Sequence, residues 1–104
     1  MREINALEAF ELLEEGALLV DVREPHELEA VSFDVKNVMN IPLSEIETRY
    51  KEIATDQKII VACRAGIRSN QAIQYLMHFG NSGEALFNLQ GGIIAWQQNG
   101  LKTK

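Results

Sequence analysis

The segment Cys63-Arg64-Ala65-Gly66-Ile67-Arg68-Ser69 sets the chain's single cysteine beside two arginines, a glycine and a hydroxyl. The apolar run Lys58-Ile59-Ile60-Val61-Ala62 reads as a strand that ends at Cys63, and a helix is expected to follow, capped by Ser69. Peptide N–H groups of a tight strand-to-helix loop can point inward, and a helix N-terminus adds partial positive charge. With Arg64 and Arg68 in the same loop, this field should lower the pKa of the Cys63 thiol and hold an anion against the sulfur. The chemistry that follows is nucleophilic. A thiolate can attack the outer sulfur of thiosulfate, release sulfite and keep that sulfur as a persulfide. It then passes the sulfur to a second nucleophile, a two-step ping-pong course. The plain alternative is that a free cysteine at a strand end is a small buried hydrophobe.

Such a loop needs rigid elements to hold it. Asn5 with Glu8 three residues on makes a capping pair, and Ala6, Ala9, Phe10 and Leu13 recur at helical spacing as far as the stop at Gly16. Ala17–Val22 reads as a buried strand, with a helical turn over Glu27–Ala30. Val38–Ile41 is a second strand, closed by Pro42, and the pair Ser44 and Glu47 predicts a helix over about 45–53. A helix runs from Ser69 through Ile73, Leu76 and Met77 to a stop at Gly80. Ala85–Leu89 is the last strand, and Gly91-Gly92 turns into a helix over 93–98. Short apolar strands alternating with helices predict an α/β fold, a mostly parallel sheet covered on both faces. In such sheets ligands bind at the carboxyl ends of the strands, where Cys63 lies.

A chain of 104 residues suits one domain, spanning 1–104. Its 46% hydrophobic and 24% charged composition is that of a packed globular protein. The net charge of −5 argues against nucleic acid as a partner, since that needs a basic face. One cysteine allows neither an internal disulfide nor a multi-thiolate metal site, and it suits a reducing compartment. No apolar stretch approaches the roughly 20 residues of a membrane span, and the N-terminus lacks signal-peptide character. The expected location is therefore the cytoplasm and the simplest expected state a monomer, with no cofactor or metal indicated.

The motifs Asp21-Val22-Arg23-Glu24, Asn40-Ile41-Pro42-Leu43, Cys63–Ser69 and Gly91-Gly92-Ile93-Ile94-Ala95-Trp96 occur together and in this order. In this the chain resembles the rhodanese-like domains, the single-domain thiosulfate sulfurtransferase family, over nearly its whole length. The resemblance implies a central parallel sheet of about five strands between helices. It implies that Cys63 carries the sulfur and that the backbone of Arg64, Ala65, Gly66, Ile67, Arg68 and Ser69 forms the binding cradle. One departure is local: family members carry Gly-His-Ile about six residues before the Asn-Ile-Pro segment, and this chain has Phe33-Asp34-Val35. A different turn is expected there.

Asp21 and Arg23 fall at a strand's carboxyl end on the presumed active-site side. They either pair and order the loop, the simpler reading, or help attract an anion. The histidines His26 and His78 sit in an acidic stretch and near a helix end, positions that give neither a catalytic role. Trp96 is expected to pack, and Gly91-Gly92 to turn the chain rather than bind phosphate. Three other functions compete. A cysteine phosphatase or arsenate reductase would use Cys-x5-Arg, one residue longer than the Cys63–Arg68 spacing, and would often have histidine where Ala62 stands. A non-catalytic binding or sensing module would not need Cys63 and both arginines. A thiol–disulfide oxidoreductase would need a resolving cysteine that the chain lacks. With one cysteine, the acceptor must be external: cyanide, a thiol or a protein.

Overall fold

Along Ile59-Ile60-Val61-Ala62-Cys63 successive side chains alternate between two separate apolar clusters: Ile60 and Ala62 join one, Ile59, Val61 and Cys63 the other. A strand apolar on both faces must be covered on both, and the computed structural model, which describes residues 1–104, has that form. Five strands make one parallel sheet: β1 (Arg2–Ile4), β2 (Leu18–Asp21), β3 (Val38–Asn40), β4 (Ile59–Ala62) and β5 (Leu86–Leu89). Their order is β1-β5-β4-β2-β3. On one face, α1 (Ala6–Glu14) and α5 (Gly92–Gln98) contribute Ala6, Ala9, Ile93 and Trp96 to the first cluster. On the other face, α3 (Ile46–Arg49) and α4 (Ile67–His78) contribute Ile46, Ala72, Ile73 and Leu76 to the second. A short α2 (Pro25–Ala30) follows β2. No helix is long and apolar enough to cross a membrane.

The chain leaves β4 toward β5 on one side and β2 toward β3 on the other, so the carboxyl ends of β4 and β2 flank a crevice. Asp21 is paired with Ala62 in the ladder, which puts the Arg23 loop next to the Cys63 loop. Asn40 at the end of β3 braces that region by donating to the carbonyls of Asp21 and Arg23, each at 2.8 Å.

The capping pair at Asn5 forms as expected, with Glu8 N donating to Asn5 Oδ1 at 2.8 Å and Asn5 N to Glu8 Oε1 at 2.9 Å. Three expectations are corrected. The edge strand β1 was not anticipated, because only three residues pair and two of them, Arg2 and Glu3, are exposed and polar. The helix expected over 45–53 is broken: a 3-10 turn at Leu43–Glu45, then α3, then a second 3-10 turn at Tyr50–Glu52, with no cap bond from Ser44. Helix α4 starts at Ile67, not after Ser69; Gly66, at φ +103°, caps it, and Ser69 lies buried in its first turn.

The Phe33-Asp34-Val35 departure has a structural account. Phe33 is buried and meets Trp96 edge-on at 5.4 Å between ring centroids, with the Arg23 guanidinium 5.9 Å from its ring centre. The C-terminal residues close over this turn: Ser32 and Lys104 exchange backbone hydrogen bonds of 2.8 and 2.9 Å, and Trp96 Nε1 donates to the Lys102 carbonyl at 2.8 Å. The turn is thereby tied into the core by an aromatic pair.

Candidate active site

β4 delivers Cys63 to the base of a loop that closes in three residues onto α4. The left-handed Gly66 makes the closure, and its N–H returns to donate to Cys63 Sγ at 3.0 Å. The loop's carbonyls must point elsewhere for its N–H groups to face inward, and α5 provides for this. Ile93 N donates to the Cys63 carbonyl at 3.0 Å and Ile94 N to the Arg64 carbonyl at 3.3 Å. Helix α5 thus spends its first free amides on the back of the loop, and the loop's own amides are left for the sulfur. The close approach requires Gly92, where a Cβ would stand 2.4 Å from both carbonyl oxygens.

Cys63 is 1% exposed, its sulfur set against the Gly66 amide at the base of the loop. Burial pushes the thiol up. The Ser69 hydroxyl, when its proton is turned to the sulfur, and the amides of Ser69, Gly66 and Ala65 outweigh it, and the thiol lies below its ordinary value. A thiol so placed is a nucleophile, and the amides that hold its thiolate can hold a second anionic atom bound to it.

The expected residues are brought together, in different roles. Ala65 and Ile67 are exposed on the rim, Ile67 at 72%, and contribute backbone to the loop. Arg64 is exposed and has no ion-pair partner. The Arg68 guanidinium forms a forked pair with the Glu27 carboxylate of α2 at 2.6 and 2.9 Å. That contact brings the Glu27 carboxyl down from 4.5 to about 2, chiefly through the hydrogen bond from Arg68. Because the folded value is depressed, the pair contributes stability above pH 4.5 and loses it only as pH falls toward 2. At neutral pH the bridge is fully formed. Asp21 and Arg23 also pair, with Arg23 Nη2 2.9 Å from Asp21 Oδ2 and 3.0 Å from the Val31 carbonyl. At 2% exposure, with Nε and Nη2 engaged by Asp21 and the Val31 carbonyl, the Arg23 guanidinium serves to order the β2 loop.

Two participants, Asn88 and Glu3, were missed by sequence reasoning, and both join through the expected Ser69. Ser69 Oγ lies 3.4 Å from Cys63 Sγ and donates to Asn88 Oδ1 of β5 at 2.5 Å. Asn88 Nδ2 in turn donates to the Glu3 carboxylate of β1 and to the Gly66 carbonyl. One signal was available: a lone Asn in the otherwise apolar Leu86-Phe87-Asn88-Leu89, which must find partners when buried. Neither histidine is a hydrogen-bond partner of Cys63, and both are exposed. A cleft between α1, the Asp34–Asn37 segment and Leu101–Lys102 lies away from this loop.

Residues 5–99 match the model of the rhodanese-like domain. A sulfurtransferase of Allochromatium vinosum is 40% identical over 87 residues, covering 84% of this chain and 78% of that protein. The thiosulfate sulfurtransferase GlpE of Vibrio cholerae is 29% identical over 99 residues, covering 95% of this chain and 89% of that one. Other relatives are longer, and the chain spans 60% of one from Bacillus subtilis that is 39% identical. Among solved structures, a rhodanese-related protein of Thermoplasma volcanium superposes with a TM-score of 0.87 at 34% identity, covering 100% of this chain and 98% of that one. The parallel five-stranded sheet, the cysteine loop at its carboxyl edge and these matches agree: the chain belongs to the rhodanese-like domain family.

Proposed function

We propose that this chain is a sulfurtransferase that takes sulfane sulfur from thiosulfate or another persulfide donor onto Cys63 and passes it to an external acceptor: cyanide, a thiol or a protein. The observation that carries the reading is the Cys63 cradle. Its sulfur accepts the Gly66 amide at 3.0 Å, at the base of a loop whose carbonyls α5 holds away. Such a cradle fits a thiolate and then the outer, charged atom of a persulfide. The names of the Allochromatium and Vibrio relatives support the same chemistry. A phosphoryl group is the poorer fit, because the Cys63–Arg68 loop is one residue short for it and Arg68 is committed to Glu27. A reducing cytoplasm suits an unpaired, ionisable thiol, and nothing in the chemistry requires more than a monomer.

Intact-mass spectrometry tests the reading. Incubation with thiosulfate should add one sulfur atom to the protein, and cyanide should remove it with release of thiocyanate. A reactive thiol that gains no sulfur from thiosulfate or from a persulfide donor would overturn it.

The Glu27–Arg68 pair makes a second prediction, on donor capture. Glu27→Gln removes the carboxylate that neutralises Arg68 and should lower KM for thiosulfate by a factor of about 2–5. Arg68→Ala removes the cation and leaves Glu27 bare beside the loop, so KM should rise by more than kcat falls. Steady-state kinetics of the two variants would show shifts of opposite sign. Shifts of the same sign would mean that the pair acts only as a structural strap.

A further inference from the structure

The Ser69 hydroxyl carries one proton and has two buried neighbours, Asn88 Oδ1 at 2.5 Å and Cys63 Sγ at 3.4 Å. Which of them receives the proton follows from Asn88. Its Nδ2 faces only acceptors: the Glu3 carboxylate oxygens at 2.8 and 3.0 Å and the Gly66 carbonyl at 3.2 Å. Turning the amide over would set its oxygen against those oxygens, so Nδ2 stays and Oδ1 faces Ser69. An amide oxygen can only accept. The hydroxyl therefore donates to Asn88 and shows its lone pairs to the sulfur. In this setting the Cys63 S–H donates to Ser69 Oγ, which favours the neutral thiol. The hydroxyl favours the thiolate only in a second setting, with its proton turned to Sγ. That leaves Asn88 Oδ1 unpaired in a residue 2% exposed. The backbone amides act on the sulfur in both settings.

We propose that Glu3 and Asn88 are positioning residues for the chemistry of Cys63, governing which of its two neighbours receives the single proton of Ser69. The inference rests on the persulfide reading for its use in turnover. In the persulfide, the charge lies on the outer sulfur and Sγ carries none, so the proton stays with Asn88. When an acceptor thiolate attacks the outer sulfur, a new S–S bond forms to the acceptor. The old S–S bond breaks and its electron pair goes to Sγ. The Ser69 proton then swings to the new thiolate, and no proton enters or leaves the site. The other charged groups around the sulfur are already balanced or exposed: Arg68 of α4 by Glu27 of α2, Asp21 of β2 by Arg23, and Arg64 in solvent. The Glu3–Asn88–Ser69 arm is the one whose setting is free to change.

The pH dependence of iodoacetamide alkylation of Cys63 in the whole chain tests this without requiring sulfur transfer. Asn88→Ala removes the competing acceptor, so Ser69 turns to the sulfur; below the wild-type midpoint, alkylation should accelerate about three- to tenfold. Glu3→Gln, on the exposed edge strand, weakens the lock without burying a defect and should act in the same direction more weakly. Ser69→Ala should shift the midpoint upward, and in that background neither substitution should change the rate by more than about twofold. A structural role would instead loosen the cradle and slow alkylation in every variant. Slower or unchanged alkylation in Asn88→Ala and Glu3→Gln, or equal acceleration without Ser69, would overturn the proposal. Should Asn88→Ala fail to fold, Glu3→Gln alone and with Ser69→Ala decides it. Absence of a thiosulfate mass gain, with these alkylation results intact, would remove the persulfide reading and leave the proton assignment standing.

Discussion

Replacing Cys63 by serine is expected to abolish sulfur transfer, by roughly 10⁴-fold or more in kcat. The two side chains are nearly isosteric, so the buried site keeps its shape and the Gly66 amide keeps an acceptor. What changes is the nucleophile. The cradle's amides lower a thiol below its ordinary value, whereas a hydroxyl starts so far above a thiol that the same amides leave it protonated. A serine that did react could not store sulfur as a persulfide. The chain has no second cysteine to take over, so no bypass exists within it. Thiocyanate production from thiosulfate and cyanide measures the loss, and a melting curve like that of the wild type excludes unfolding as its cause. Retention of more than about 1% of the activity would place the sulfur-carrying group elsewhere and end the Cys63 mechanism.

The parts of this site that were legible in the sequence are those made by neighbours along the chain. Cys63, the turn at Gly66 and the helix after it lie within a few residues, and their types declare a tight loop on a helix start. Even there the helix starts two residues before Ser69, because Gly66 closes the loop sooner than a serine cap would and sends the Ser69 side chain inward. The parts that were not legible depend on pairing across long separations. Glu27 and Arg68 are 41 residues apart, and Glu3 and Asn88 are 85 apart. They meet only because β1 joins β5, and α2 comes to lie beside the start of α4. A three-residue edge strand with polar exposed positions has no periodicity to announce it, so its role in the site could not be read. Arg68 shows the cost of this. The loop's composition assigns both arginines to the anion, but the fold gives one of them a carboxylate and leaves Arg64 as the free cation.

Gly92 carries the largest expected structural effect, because the two halves of the cradle meet at its α-carbon. Its φ of +56° already penalises any side chain by about 1–2 kcal/mol. An added Cβ would also lie 2.4 Å from the carbonyl oxygens of Cys63 and Arg64 and 2.5 Å from the Arg64 carbonyl carbon. Backbone cannot swing aside as a side chain can, so α5 must move off the loop. The bonds from Ile93 N and Ile94 N that hold those carbonyls outward would then be lost. Gly92→Ala should destabilise the fold by about 2–4 kcal/mol, which for a domain this size is a fall in Tm of about 8–25 °C. In the fraction that still folds, the loop's amides are no longer aimed at the sulfur, so Cys63 should alkylate more slowly at neutral pH and sulfur transfer should drop. Gly100→Ala is the matched control. Its φ of +73° carries the same conformational penalty, but a Cβ there meets nothing within 4 Å. It should lower Tm by only about 4–12 °C and leave activity unchanged. Thermal melts and alkylation rates of the two variants separate backbone strain from the loss of the α5 contact. Equal melts with full activity in both would mean that the loop holds its amides inward without α5.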